Sequence, residues 1–143
     1  LDSPRLYALG LAHKHLPEMQ NVAGLENPPV FSPQVCDFYA GMSVSVPLWK
    51  GLFTKSISLK ALREALAEYY QGAGLISVKE APEDGFLPAN LLAGTNRLNL
   101  YVLGNDRQMT LVSLLDNLGK GAAGAAVQNM NLALGLDEYE SLA

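Results

Sequence analysis

Cysteine is nearly absent from the chain: Cys36 is the only one in 143 residues. A lone thiol excludes an internal disulfide framework and fits a reducing compartment, so a cytoplasmic setting is expected. Charge is sparse as well. Asp, Glu, Lys and Arg make up 17% of the residues and leave a net charge of −4, with no cluster of Lys or Arg. Nothing therefore offers nucleic acid an electrostatic footprint, and it is not an expected partner. No apolar run reaches the roughly 20 residues of a membrane-spanning helix, and the layout of a signal peptide is missing. A membrane partner is not expected either. Internal repeats and low-complexity tracts are also lacking. What remains is a 49% hydrophobic chain of a length that suits one domain, 1–143, with a real core. Its first residue is Leu1 rather than Met, the start expected of a chain that begins inside a longer protein.

The hydrophobic pattern gives the elements. "RLYALGLA" (Arg5 to Ala12) reads as a strand ending at His13, and "PEMQNVAG" as a short helix with proline at its first position and Gly24 at its end. "VFSPQV" and "MSVSVPLW" read as strands. In the second, Met42, Val44, Val46 and Leu48 share one face, and Ser43 and Ser45 the other. "SLKALREALAEYYQG" predicts a helix capped by Ser58 and ended by Gly72. Leu59, Leu62, Leu66 and Tyr69 form its apolar face, with Lys60, Arg63, Glu64 and Glu68 mostly towards water. "LISVK" is a strand, and "RLNLYVLG" and "RQMTLVSLLD" form an antiparallel hairpin through the turn "GND". A last helix runs from about Leu118 to Leu134. Strands dominate the middle and connections are short. The fold class is α+β: a mixed, mostly antiparallel sheet with helices on one face.

"GKGAAG" (Gly119 to Gly124) spells G-x-G-x-x-G, the fingerprint of a dinucleotide phosphate loop. Such a loop needs a following parallel strand and an acidic ribose-binding residue about 20 residues on. Here only "LDEYESLA" follows the helix, and the preceding strand is the second arm of a hairpin. The other reading is a small-residue helix start packed closely on a sheet. Lys120 beside a helix N-terminus could still touch an anion.

Chemistry-bearing side chains are few. His13 and His15 are the only histidines, with Glu18 three residues further on. If the strand continued through His15, both rings would point to one side. Either ring can serve as general acid or base near neutrality, or make a structural hydrogen bond. A metal site needs a third and a fourth ligand from Cys, His, Asp or Glu, and no second cluster supplies them, so no metal is expected. Cys36, in an apolar neighbourhood, reads as a structural thiol. Asp116-Asn117 sits where a strand meets a helix and reads locally as a cap. Gln128, Asn129 and Asn131 mark a helix face that meets polar groups, another domain or a ligand, or else simply faces water.

Several stretches together resemble a known family. "AHKHLPEM" is similar to the H-[RK]-H-x-P-E-[IM] signature of N-acetyl-gamma-glutamyl-phosphate reductases, members of the semialdehyde dehydrogenase superfamily. "DNLGKGAAGAAVQNMNLALGL" resembles their C-terminal segment, "FSPQV" followed by Gly41-Met42 their strand entry, and "GTN" at Gly94 to Asn96 their G-[ST]-N. The matches run in family order over nearly the whole chain, and the end resembles the family's natural C-terminus.

The resemblance implies a fold like the C-terminal domain of glyceraldehyde-3-phosphate-dehydrogenase-like enzymes, a catalytic and dimerisation part from which the N-terminal dinucleotide-binding domain is absent. It implies an oxidoreductase of arginine biosynthesis. A cysteine thiolate would attack the acyl phosphate of N-acetyl-5-glutamyl phosphate, phosphate would leave, and NADPH would deliver hydride to the thioacyl enzyme to give N-acetylglutamate 5-semialdehyde. His13 would be the catalytic acid/base. His15 and Glu18 would orient it or bind substrate. Asn117 would lie near the nicotinamide. The protein would be a homo-oligomer, dimer or tetramer. "GKGAAG" would then be the start of the last helix, not a phosphate loop. The chain departs from the family at Ala40, where arginine is common, and at Lys14; Cys36 lacks the "NPGCY"-like context of the nucleophile. Without nucleophile and cofactor domain the chain alone is expected to be inactive. Two alternatives remain: a standalone dimerisation or ligand-binding module with a relict site, and a reductase of another acyl phosphate such as aspartyl phosphate.

Overall fold

The computed structural model describes residues 3–142. Where the sequence reading expects a single domain, these residues divide into two compact units, ending and beginning at Tyr39 and Ala40.

In the first unit, β1 (Arg5–Leu6) pairs antiparallel with β2 (Gln34–Val35). Both strands are shorter than expected. Ala8 and Leu11 adopt left-handed backbone, at φ +53° and +52°, which breaks an extended run after Tyr7. Pro33 precedes β2 and has no N–H to extend the ladder, although its carbonyl still accepts from Tyr7 N–H. The chain then turns into α1 (Leu16–Val22), with Pro17 in its first turn, Leu16 buried and Gly24 at φ +62° just beyond its end.

The second unit is built on a four-stranded sheet in the order β3 (Met42–Trp49), β6 (Gln108–Leu115), β5 (Leu98–Asn105), β4 (Ile76–Lys79). Its first two pairings are antiparallel and the β5–β4 pairing is parallel. With its helices, this is the α+β fold with a mixed, mostly antiparallel sheet. The β5–β6 hairpin closes through Asp106-Arg107, and Asn105 Oδ1 accepts from the N–H groups of Arg107 and Gln108.

The core lies on the central strands. Alternation puts Tyr101, Val112 and Leu114 on one face, covered by Leu87 and Leu92 of the loop before β5. Leu100, Val102 and Met109 are buried on the other. β3 has the predicted bounds, yet as an edge strand it keeps Met42, Val44 and Val46 exposed.

α2 (Leu59–Tyr69) packs against β4 and β5. Ser58 Oγ accepts from Ala61 N–H, as predicted, and Asp106 Oδ1 at the hairpin tip accepts from Leu59 N–H. Two details of its face differ from the sequence reading. Tyr69 is exposed and Tyr70 half-buried. At about 100° per residue, Tyr70 falls about 20° from Leu59 around the helix and Tyr69 about 80° away. Arg63 falls near the same stripe; its side chain is only 23% exposed and pairs with Glu80.

Candidate active site

The residue signals for chemistry fall in both units. His13, His15 and Glu18 belong to the first. His13 sits in the turn before α1, not on a strand, and its carbonyl accepts from Leu16 N–H. The turn still brings the two rings together, with centroids 5.1 Å apart. Tyr7 and Phe31 meet the His13 ring edge-on at 5.7 and 5.0 Å, a geometry that aromatic quadrupoles favour. His13 is half-buried. The main-chain N–H of His15 donates to His13 Nδ1 over 3.3 Å. His15 Nδ1 lies 3.2 Å from Glu18 Oε2, one helical turn on, and both side chains are exposed. Three of the four predicted site residues thus form one cluster. Neither Tyr7 nor Phe31 was legible as part of it, since nothing local in the sequence ties them to His13.

Asn117 lies in the second unit, at the end of β6. Its Oδ1 accepts from Gly41 N–H over 2.8 Å, across 76 positions of sequence. Gly41 has φ +128°, and a Cβ there would stand 2.5 Å from Asn90 Cα, so the entry to β3 depends on glycine. With Oδ1 engaged, the half-buried Asn117 presents Nδ2, which has no hydrogen-bond partner among the described residues.

Asp116 organises the surrounding backbone. Its carboxylate is buried and accepts from the N–H groups of Gly94, Leu118 and Gly119 at 2.5, 2.7 and 2.9 Å. The N–H of Gly119, then those of Gly94 and Leu118, hold the carboxyl below its ordinary pKa, against the opposing pull of burial. The capping expected of Asp116 is therefore present, and it also ties the "GTN" loop to the glycine-rich turn.

That turn, Gly119–Ala123, is π-helical and leads into α3 (Gly124–Leu134). Each of its fingerprint glycines lies against a near neighbour. A Cβ at Gly119 would be 3.0 Å from Thr95 O, one at Gly121 3.2 Å from Leu115 Cδ1, and one at Gly124 1.8 Å from Asn96 Oδ1. The motif is a close-packing device. Lys120 is turned to Gln128 Oε1. The polar face of α3 holds the segment that follows: Gln128 donates to Glu138, and the buried Asn131 donates to the carbonyls of Glu138 and Glu140.

Cys36 is a free, half-buried thiol. An open recess of about 750 Å³ beside Leu59, Lys60 and the hairpin tip includes none of the four predicted site residues. Among the described residues no helix is long and apolar enough to cross a membrane.

Residues 1–117 match the family model described as "Semialdehyde dehydrogenase, dimerisation domain". The chain is 44% identical over 141 residues to N-acetyl-gamma-glutamyl-phosphate reductase 2 of Nostoc sp., covering 93% of this chain and 44% of that protein. It is 47% identical over 135 residues to the N-acetyl-gamma-glutamyl-phosphate reductases of Brucella ovis and Brucella suis, covering 91% of this chain and 44% of each. The chain therefore spans less than half the length of the curated relatives it matches.

Proposed function

The chain belongs to the semialdehyde dehydrogenase dimerisation-domain family, and we propose that it is the C-terminal catalytic and dimerisation part of an N-acetyl-gamma-glutamyl-phosphate reductase. The whole protein uses NADPH to reduce N-acetyl-5-glutamyl phosphate to N-acetylglutamate 5-semialdehyde, in the cytoplasm, as a step of arginine biosynthesis. The observation that carries this reading is the His13–His15–Glu18 cluster, in a chain 44–47% identical to reductases of that name.

Each residue has a part in it. His13 serves the acid/base chemistry of the acyl transfer, which typically contributes about 10²–10⁴-fold. His15 and Glu18 orient it or hold substrate. Asn117, its Oδ1 held by Gly41 N–H, would offer its Nδ2 donor near the nicotinamide. The cofactor supplies the hydride. Its phosphates, and the nucleophilic cysteine, belong to a preceding dinucleotide-binding domain, so this chain alone is inactive. The exposed apolar residues of β3, Met42, Val44 and Val46, support assembly with further copies.

The intact mass of the native polypeptide tests the reading. A mass well above 15.3 kDa, with peptides upstream of Leu1 carrying a glycine-rich loop and a cysteine motif, supports it. A native mass equal to this chain removes nucleophile and cofactor site together and leaves a binding or assembly module.

A further inference from the structure

We propose that the two histidines hold opposite neutral tautomers, so that His13 presents a hydrogen-bond donor and His15 a hydrogen-bond acceptor. A ring nitrogen that accepts a hydrogen bond carries no hydrogen. His13 Nδ1 accepts the main-chain N–H of His15, so the neutral ring carries its hydrogen on Nε2.

His15 is set the other way. Its Nδ1 faces the Glu18 carboxylate, and an ionised carboxylate only accepts. His15 Nδ1 is therefore the donor, and its Nε2 keeps the lone pair. A carboxylate behind the Nδ1–H of an imidazole is the arrangement that holds the ring in one tautomer and orientation. The rings lie 5.1 Å apart. Edge contacts from Tyr7 and Phe31 hold one ring and Glu18 holds the other.

This division rests on the reductase reading and assigns its hydrogen bonds. His13 donates a hydrogen bond from Nε2 to an oxygen of the acyl phosphate. His15 Nε2, its ring oriented by Glu18, accepts a hydrogen bond from the substrate. Glu18 is a positioning residue.

The test is long-range ¹H–¹⁵N NMR on the ¹⁵N-histidine-labelled protein, at a pH where both rings are neutral. His13→Gln and His15→Gln variants assign the signals. The expected pattern is Nε2–H for His13 and Nδ1–H for His15. Glu18→Ala should move His15 towards the Nε2–H form and leave the His13 pattern in place. An Nδ1–H His13, an Nε2–H His15, either ring averaging between tautomers, or a His15 indifferent to Glu18→Ala would overturn the proposal. The readout needs no substrate, so its failure leaves the reductase reading standing. Expected tautomers in a protein that does not turn over acetylglutamyl phosphate would sink the reductase reading instead.

Discussion

Asn96 Oδ1 occupies the space that a side chain at Gly124 would need: a Cβ there would stand 1.8 Å away. Asn96 is buried, and its Oδ1 has no hydrogen-bond partner among the described residues. Its neighbour is the Gly124 backbone at the start of α3. Gly124→Ala should overpack this contact and cost about 1–3 kcal/mol in urea unfolding. Asn96→Ala makes room, so the double variant should lose less than the sum of the two single losses. Strict additivity would separate the two residues energetically.

Asp116 predicts an acid-sensitive fold. Its folded pKa lies below the unfolded value, about 3.9. The unfolded chain therefore takes up the proton first as pH falls. The stabilisation is fully present above that unfolded value and is lost as pH drops through the lower folded one. Asp116→Asn should be less stable at neutral pH and show a flatter loss of stability below about pH 4. Equal slopes in the two proteins would remove Asp116 from the explanation.

Asn117 separates structure from chemistry. Asn117→Asp keeps an oxygen for Gly41 N–H but exchanges the Nδ2 donor for an acceptor. In the complete reductase the KM for NADPH should rise about tenfold, a loss of about 1.4 kcal/mol, with thermal stability little changed. An unchanged KM with a lowered melting temperature would make the residue structural only.

Asn131 should hold the chain's last residues. Its Nδ2 reaches two carbonyls of that segment, and Tyr139 Oη accepts from Gly74 N–H. Asn131→Ala should cost about 1–3 kcal/mol by removing the two hydrogen bonds of this buried amide. It should also speed amide exchange across residues 136–142. Exchange unchanged there would contradict this role.

How much of this was legible in the sequence varies with the range of the interaction. The bounds of β3, the β5–β6 hairpin and the Ser58 cap follow from local periodicity and turn chemistry, and the structure has all three. So does the closeness of His13, His15 and Glu18, which are neighbours in sequence. Arg5 to Ala12 misled because its apolar content says nothing of the left-handed backbone at Ala8 and Leu11. The glycines of "GKGAAG" could be read as small but not as small for Asn96, Thr95 and Leu115, which only the folded chain brings to them. Likewise the Asn117–Gly41 bond spans 76 positions and leaves no periodic trace.

The central claim is tested most directly by phosphate-dependent reduction of NADP⁺ with N-acetylglutamate 5-semialdehyde, using the native protein that carries this chain. The account predicts turnover, lowered about 10²–10⁴-fold in kcat by His13→Asn, with aspartate semialdehyde a poor substrate. No turnover, preference for aspartate semialdehyde, or full activity in His13→Asn would contradict it.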